Sequence, residues 1–268
     1  MNPGPLFFVS VRWFLPGSGA PIRALCMSSL VVIWLTWAGA SSVDAMMPAD
    51  AMGEENATCV SEIVPPLSPE EQEILGRFRE PSVSDEEAES ILARYDHIDP
   101  DGAIPRDLLE TALLYFDTNL DLIPNKRFLT VFDFSPASRY SRFHIIQMET
   151  GSVVSLHAAH GQGSDPGNTG RATKFSNTPN SKMSSLGFYR TAEVYDGSHG
   201  MSLRLDGLSP TNSKARERAI VIHGADYVHD SDVKPGRSWG CPAISMENRA
   251  RVINPIKEGS ILFAGQAQ

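Results

Sequence analysis

Cysteine is scarce in this chain of 268 residues: there are three, at positions 26, 59 and 241. That number excludes a scaffold framed by several disulfides. The 23 Lys and Arg are outnumbered by 32 Asp and Glu and form no cluster interleaved with aromatics, which speaks against nucleic-acid binding. Long apolar runs are also missing after the first 45 residues, so nothing beyond that point has the length to span a bilayer. There is no internal repeat and no low-complexity tract, which excludes solenoid and fibrous architectures. No helix-borne His-Glu-x-x-His spacing is present, and neither a cofactor nor a metal is expected.

What remains is an ordinary globular composition, 41% hydrophobic and 21% charged, enough for one sizeable core and a smaller appendage. Residues 1–45 read as an export signal: Arg12 and Arg23 precede an apolar run from Leu30 to Trp37, and Ala38, Gly39 and Ala40 follow it. Cleavage after Ala40 or Ala45 fits that pattern. The uncharged stretch from Ala24 to Val43 is nearly of bilayer length, so an uncleaved membrane anchor is the alternative. Either way the rest of the chain is expected outside the cytoplasm, in the periplasm or cell envelope.

Residues 46–69 hold Pro48, Pro65, Pro66 and Pro69 among acidic residues and read as a linker. Residues 70–123 read as an acidic helical segment. Ile74, Leu75 and Phe78 recur at helical spacing, Ser84 with Glu87 suggests a capped start, and Pro105 suits the first position of a third helix carrying Leu108, Leu109, Ala112, Leu113 and Phe116. That apolar stripe is expected to contact the following domain. Residues 44–121 carry 20 acidic against 4 basic side chains, a balance of −16, whereas residues 122–268 carry 12 against 17, a balance of +5. A solvated acidic face explains this; docking on the basic half, or contact of that half with an anionic polymer, are the alternatives.

Over residues 124–268 the pattern changes to short β-rich runs: 128–134, 142–148, 153–157, 187–191, 201–206, 219–223 and 260–264. With turns between them, these predict a mainly β domain, an antiparallel sandwich or barrel, with one helix over 211–218.

Two segments carry the chemistry. An apolar run ends in Ile220-Val-Ile-His-Gly-Ala-Asp226, which places His223 at a strand end where a side chain can face a cleft. Gly236-Arg-Ser-Trp-Gly-Cys-Pro242 follows. A cysteine is nucleophilic as thiolate, and His223 or Arg237 could lower its pKa. The amides of Gly240 and Cys241 could receive an oxyanion. A disulfide between Cys59 and Cys241 is the competing reading.

His223, a gap of fourteen residues, and Ser238-Trp-Gly-Cys241 resemble the signature of YkuD-type L,D-transpeptidases. The resemblance extends to the murein L,D-transpeptidase catalytic-domain branch. It is carried there by Leu156-His-Ala-Ala-His-Gly161, Phe175-Ser-Asn177, Ser184-Ser-Leu-Gly187, Leu203-Arg-Leu-Asp-Gly-Leu208 and Arg218-Ala-Ile-Val-Ile-His-Gly224, and it covers about residues 105–265. It implies an L,D-transpeptidase-like β domain whose thiol attacks the carbonyl after the L-centre of diaminopimelate in a peptidoglycan tetrapeptide stem and releases D-alanine. An amine then makes a cross-link, water would make the chain an L,D-carboxypeptidase, and a protein amine would attach a protein. By that resemblance Cys241 is the nucleophile, His223 the base, Gly240 an oxyanion contributor and Ser238 the motif hydroxyl. Trp239 stands where the commoner signature has a His. Gly224 through its carbonyl, or Asp226, would orient His223.

Around this centre, His160, Ser184, Ser185 and Trp239 are expected to contact substrate. Arg204 and Arg237 offer forked guanidinia for its carboxylates, with surface ion pairing the alternative. Two further readings compete: a zinc peptidase built on His157, His160 and His223, and a non-catalytic cell-wall-binding module.

Overall fold

The computed structural model describes residues 64–267; the expected signal or anchor, most of the linker, Cys26 and Cys59 lie outside the described residues. Helix α1, Pro69–Gly76, starts at Ser68, whose hydroxyl and amide exchange bonds with Glu71 in a capping box. Helix α2, Asp85–Leu92, starts at Ser84, whose side chain accepts from the Glu87 amide. Helix α3, Arg106–Thr118, has Pro105 as its cap, one position before the expected one. Its stripe of Leu108, Ala112, Leu113, Tyr115 and Phe116 is buried against Leu129, Val131, Ile146, Phe188 and Ile261. The Tyr115 ring stacks on Phe188 at 3.6 Å, and Phe188 on Phe263 at 4.5 Å. The stripe therefore contacts the β domain, as its spacing suggested.

Eight strands follow: β1 Phe128–Asp133, β2 Phe143–Gln147, β3 Val153–Leu156, β4 Gly187–Gly197, β5 Gly200–Gly207, β6 Val221–Ala225, β7 Ala243–Ser245 and β8 Ile261–Gly265. They form one sheet in the order β3-β2-β1-β8-β4-β5-β6-β7. Beyond β3, the Ala159 amide donates to the carbonyl of Ala243 in β7 at 2.8 Å, so the two edges approach and the sheet is a nearly closed barrel. The domain is mainly β, as expected, but not purely antiparallel: β1 runs parallel to β8 and β6 parallel to β7.

Alternation explains the layering. In β1, Leu129 and Val131 face α3, while Phe128 and Phe132 face the interior with Phe143, Leu203, Leu205, Ile222, Ile244 and Leu262. Helix α4, Arg249–Ile256, closes that interior with Val252, Ile253 and Ile256. Neither α4 nor β7 was expected from the sequence. Pro255 near the end of α4 and the three-residue length of β7 hide both patterns.

Residues 211–218 form turns and not the expected helix. The fully buried Asn212 side chain accepts from the Ser209 amide at 2.9 Å and donates to the Phe188 carbonyl at 2.7 Å, fixing the backbone in a non-helical course. This also gives Asn212 a structural role.

Candidate active site

Strand β6 alternates, so Ile222 enters the core while His223 lies on the opposite face, buried to 3% exposure. The register pairs His223 with Ala243, and its amide donates to Pro242 O at 3.4 Å. Cys241 therefore lies two residues before β7, beside β6. It is a free thiol, half-buried against the interior cluster.

His223 Nδ1 lies 3.0 Å from Gly224 O. A carbonyl only accepts, so Nδ1 carries the proton and Nε2 holds the lone pair. Of the two orienting groups expected, Gly224 makes the contact and Asp226 is exposed. The imidazole stacks on His199 from the β4–β5 turn, with ring centroids 4.3 Å apart. Burial pushes its pKa down to about 4, opposed by the Gly224 bond and reinforced by His199. Burial likewise raises the Cys241 pKa, while the Val221 amide and Arg218 pull it the other way. The resting pair is a neutral thiol and a neutral imidazole. No hydrogen bond joins them: Sγ donates to Ala219 O at 3.7 Å.

The loop before the thiol is held by Ser238. Its hydroxyl donates to Cys241 O at 2.7 Å and accepts from the Gly240 amide at 3.1 Å. That amide is thus occupied, and Gly240 N–H does not face a reacting carbonyl as expected. The Cys241 amide has no hydrogen-bond partner among the described residues. Gly240 itself sits at φ +127°, where a Cβ would lie 2.7 Å from Met183 O and 3.2 Å from Arg218 Nη2. Only glycine fits there.

Two more segments brace this loop. The Ser238 amide donates to His160 O at 2.9 Å, and the Gln162 amide to Ser238 O at 2.8 Å. Ser184 Oγ accepts from the Gly161 amide at 3.0 Å and donates to Gly240 O at 3.1 Å. Ser185 Oγ donates to Ser176 O at 3.0 Å and accepts from Arg218 Nη1 at 2.5 Å. Both serines are buried and committed to the loop framework, so the expectation that they face substrate gives way to a bracing role.

His160 is also displaced from its expected place in the cleft. It is 1% exposed, with Nδ1 2.7 Å from the guanidinium of the fully buried Arg142 and Nε2 3.6 Å from Asp165 Oδ2. Burial, reinforced by Arg142, pushes its pKa down to about 4, so it is neutral beside Asp165. Arg142 also donates to Ala158 O at 3.0 and 2.8 Å, and burial takes its pKa down to about 9.

Arg237 donates through Nη1 to Asp165 O and is half-buried. Arg204 is buried on the outer face of β5, with Nε 3.1 Å from Glu193 Oε1 and its guanidinium 3.9 Å above the Tyr195 ring. Of its two expected readings, ion pairing is the one it makes. Trp239 is 49% exposed beside Cys241, with Lys182 Nζ 4.5 Å above its ring.

The zinc reading lacks its ligand set. His157 faces Asp230 and Asp232 at 3.8 and 3.6 Å, His160 faces Arg142, and His223 faces His199. Among the described residues no three His, Cys, Asp or Glu side chains gather as metal ligands would. Among them, too, no helix is long and apolar enough to cross a membrane.

Sequence reasoning passed over Arg218, His199 and Lys182 as site residues. Arg218 stands five residues before His223 in the same motif, a signal within reach; the other two come from separate loops that only the fold brings in.

The family model for the L,D-transpeptidase catalytic domain matches residues 101–264. No curated protein matches the chain. Among solved structures, L,D-transpeptidase 1 of Mycobacterium tuberculosis is similar at 13% identity, covering 52% of this chain and 62% of that one, with a TM-score of 0.30. An L,D-transpeptidase of Mycobacterium smegmatis is similar at 14% identity, covering 52% and 58%, with a TM-score of 0.33. That of Xylanimonas cellulosilytica is similar at 16% identity, covering 56% and 68%, with a TM-score of 0.31. The chain thus spans less than two thirds of the length of the two mycobacterial structures.

Proposed function

The chain belongs to the L,D-transpeptidase catalytic-domain family, and we propose that it is an exported cysteine acyltransferase acting on the tetrapeptide stems of peptidoglycan, with Cys241 as nucleophile and His223 as base. The observation that carries this reading is the placement of His223, whose Nδ1 bonds Gly224 O and which pairs with Ala243, two residues after Cys241.

In this reading the Sγ–H proton passes to His223 Nε2 as the sulfur electron pair attacks the stem carbonyl. Sγ must first leave Ala219 O, a tightening that substrate binding commonly brings about. The oxyanion meets the Cys241 amide. Collapse breaks the amide bond, and D-alanine departs with the proton from the imidazolium. An acceptor amine then attacks the thioester and gives its proton to Nε2, and the thiol is restored as the sulfur leaves and takes that proton.

Ser238, Ser184, Ser185 and His160 act in this scheme by holding the loop. The exposed Trp239 and the half-buried Arg237 are the groups we assign to substrate contact. Residues 1–45 supply export or anchoring.

The test is incubation with a defined tetrapeptide muropeptide and identification of products by mass. Cross-linked dimers support transfer to an amine, tripeptides support the carboxypeptidase, and products unchanged by Cys241→Ala refute the thiol mechanism.

A further inference from the structure

Among the described residues, Arg218 is a half-buried cation without a counter-charge. Its neighbours in charge density are paired: Arg216 bonds Asp206 at 2.5 Å and Glu193 at 2.8 Å, and Arg204 faces Glu193. Arg218 instead donates from Nη1 to Ser176 O at 2.8 Å and Ser185 Oγ at 2.5 Å, and from Nη2 to Met183 O and, at 3.4 Å, to Ser181 Oγ. All four acceptors are neutral. Removing a charge from water without an opposite partner is costly, and a structure keeps it where an anion is to be met.

That anion is not a substrate carboxylate. The four N–H groups of Nη1 and Nη2 are spent on the loop, leaving no fork for bidentate recognition. The guanidinium lies against the thiol segment: a Cβ on Gly240 would be 3.2 Å from Nη2. The two titratable groups that its charge senses are Cys241 and the buried Tyr189, whose hydroxyl is tied to Ser185 O at 2.9 Å.

We infer that Arg218 is the positioning residue of the reaction: it lashes the 176–185 loop against Gly240 and holds the positive charge that receives the Cys241 thiolate. This rests on Cys241 being the nucleophile. When the thiol gives up its proton, the electron pair left on sulfur is met by a cation that the fold has already fixed and desolvated, so no reorganisation is needed at that moment. The burial that raises the thiol pKa at rest is thereby partly offset in the direction of reaction.

The lash and the charge predict opposite signs. If Arg218 only ties the loop, Arg218→Gln loosens it, the thiol becomes more exposed, and its pKa falls toward the ordinary value. If the charge acts on sulfur, the pKa rises. The experiment is iodoacetamide alkylation of the full chain across pH, with Cys241 read by peptide mass so that the other cysteines do not enter. Arg218→Gln is expected to raise the Cys241 pKa by at least about one unit and slow alkylation at pH 7 about tenfold, equivalent to about 1.4 kcal/mol. An unchanged or lowered pKa overturns the inference.

Arg218→Lys keeps the charge without the fork and guards against a Gln variant that does not fold. Its Cys241 pKa is expected within about half a unit of the wild type, and a fall toward the ordinary thiol value overturns the inference. Alkylation needs no stem peptide, so this outcome is independent of the muropeptide products that decide the proposed function.

Discussion

Replacing Gly240 by alanine is the sharpest perturbation of the loop that presents the thiol. Two costs add. The position lies at φ +127°, which an L-residue occupies only at a strain of about 1–3 kcal/mol. The new methyl would also sit 2.7 Å from Met183 O and 3.2 Å from both Arg218 Nη2 and Ile220 Cδ1. Met183 O is backbone and accepts a bond from Arg218, so it cannot swing aside as a side-chain tip would. Overpacking of that kind costs about 1–3 kcal/mol. Together they give about 4 kcal/mol, and for a domain of this size each kcal/mol lowers Tm by about 2–4 °C. Gly240→Ala should therefore melt about 8–16 °C lower than the wild type in a thermal scan followed by circular dichroism. A Tm within about 1 °C of the wild type would refute the packing argument for this loop, because neither cost could then be present.

Other consequences follow from the buried polar groups. His160 and His223 are both held near pKa 4, below the ordinary imidazole value of about 6.5, so between those limits the unfolded chain binds more protons than the folded one. Stability should thus rise with pH from about 4 to about 6.5 and be lost on acidification through that window, by about 3 kcal/mol for each histidine. Urea midpoints at pH 4.5 and 7 measure it, and His160→Gln should flatten the difference; equal midpoints in the wild type would count against neutral burial. Arg142→Ala removes three bonds to Ala158 O and His160 and leaves a cavity among Phe132 and Phe134, so a loss of about 3–5 kcal/mol in denaturant unfolding is expected. Near-neutral stability in that variant would mean that burial of the guanidinium costs as much as its bonds return.

Much of this fold could be read in advance because its local signals agree with its tertiary environment. The alternation of β1, β2 and β8 and the cap at Ser84 survive intact. Strand order was not legible, since a period of two residues says which face is buried and not which neighbour lies beside it. Hence β1 and β8, far apart in the chain, pair in parallel without warning. The 211–218 segment misled because its residues tolerate a helix, while the buried Asn212 binds backbone outside it. Within the site, the spacing of His223 and Cys241 drew attention to β6 and to the segment that precedes β7. It could not show that Ser238 occupies the Gly240 amide, that Arg142 claims His160, or that the cation beside the thiol is Arg218 and not Arg237, because each depends on which loop the fold lays against Gly240.

The central claim, that Cys241 becomes acylated by a stem peptide, is tested most directly by intact-protein and peptide mass spectrometry after brief exposure to a tetrapeptide stem and an acid quench. The account predicts an adduct on the peptide containing Cys241 with the mass of the stem less D-alanine, absent from Cys241→Ala and reduced in His223→Ala. Product formation with no adduct on Cys241, or with undiminished yield in Cys241→Ala, would contradict it.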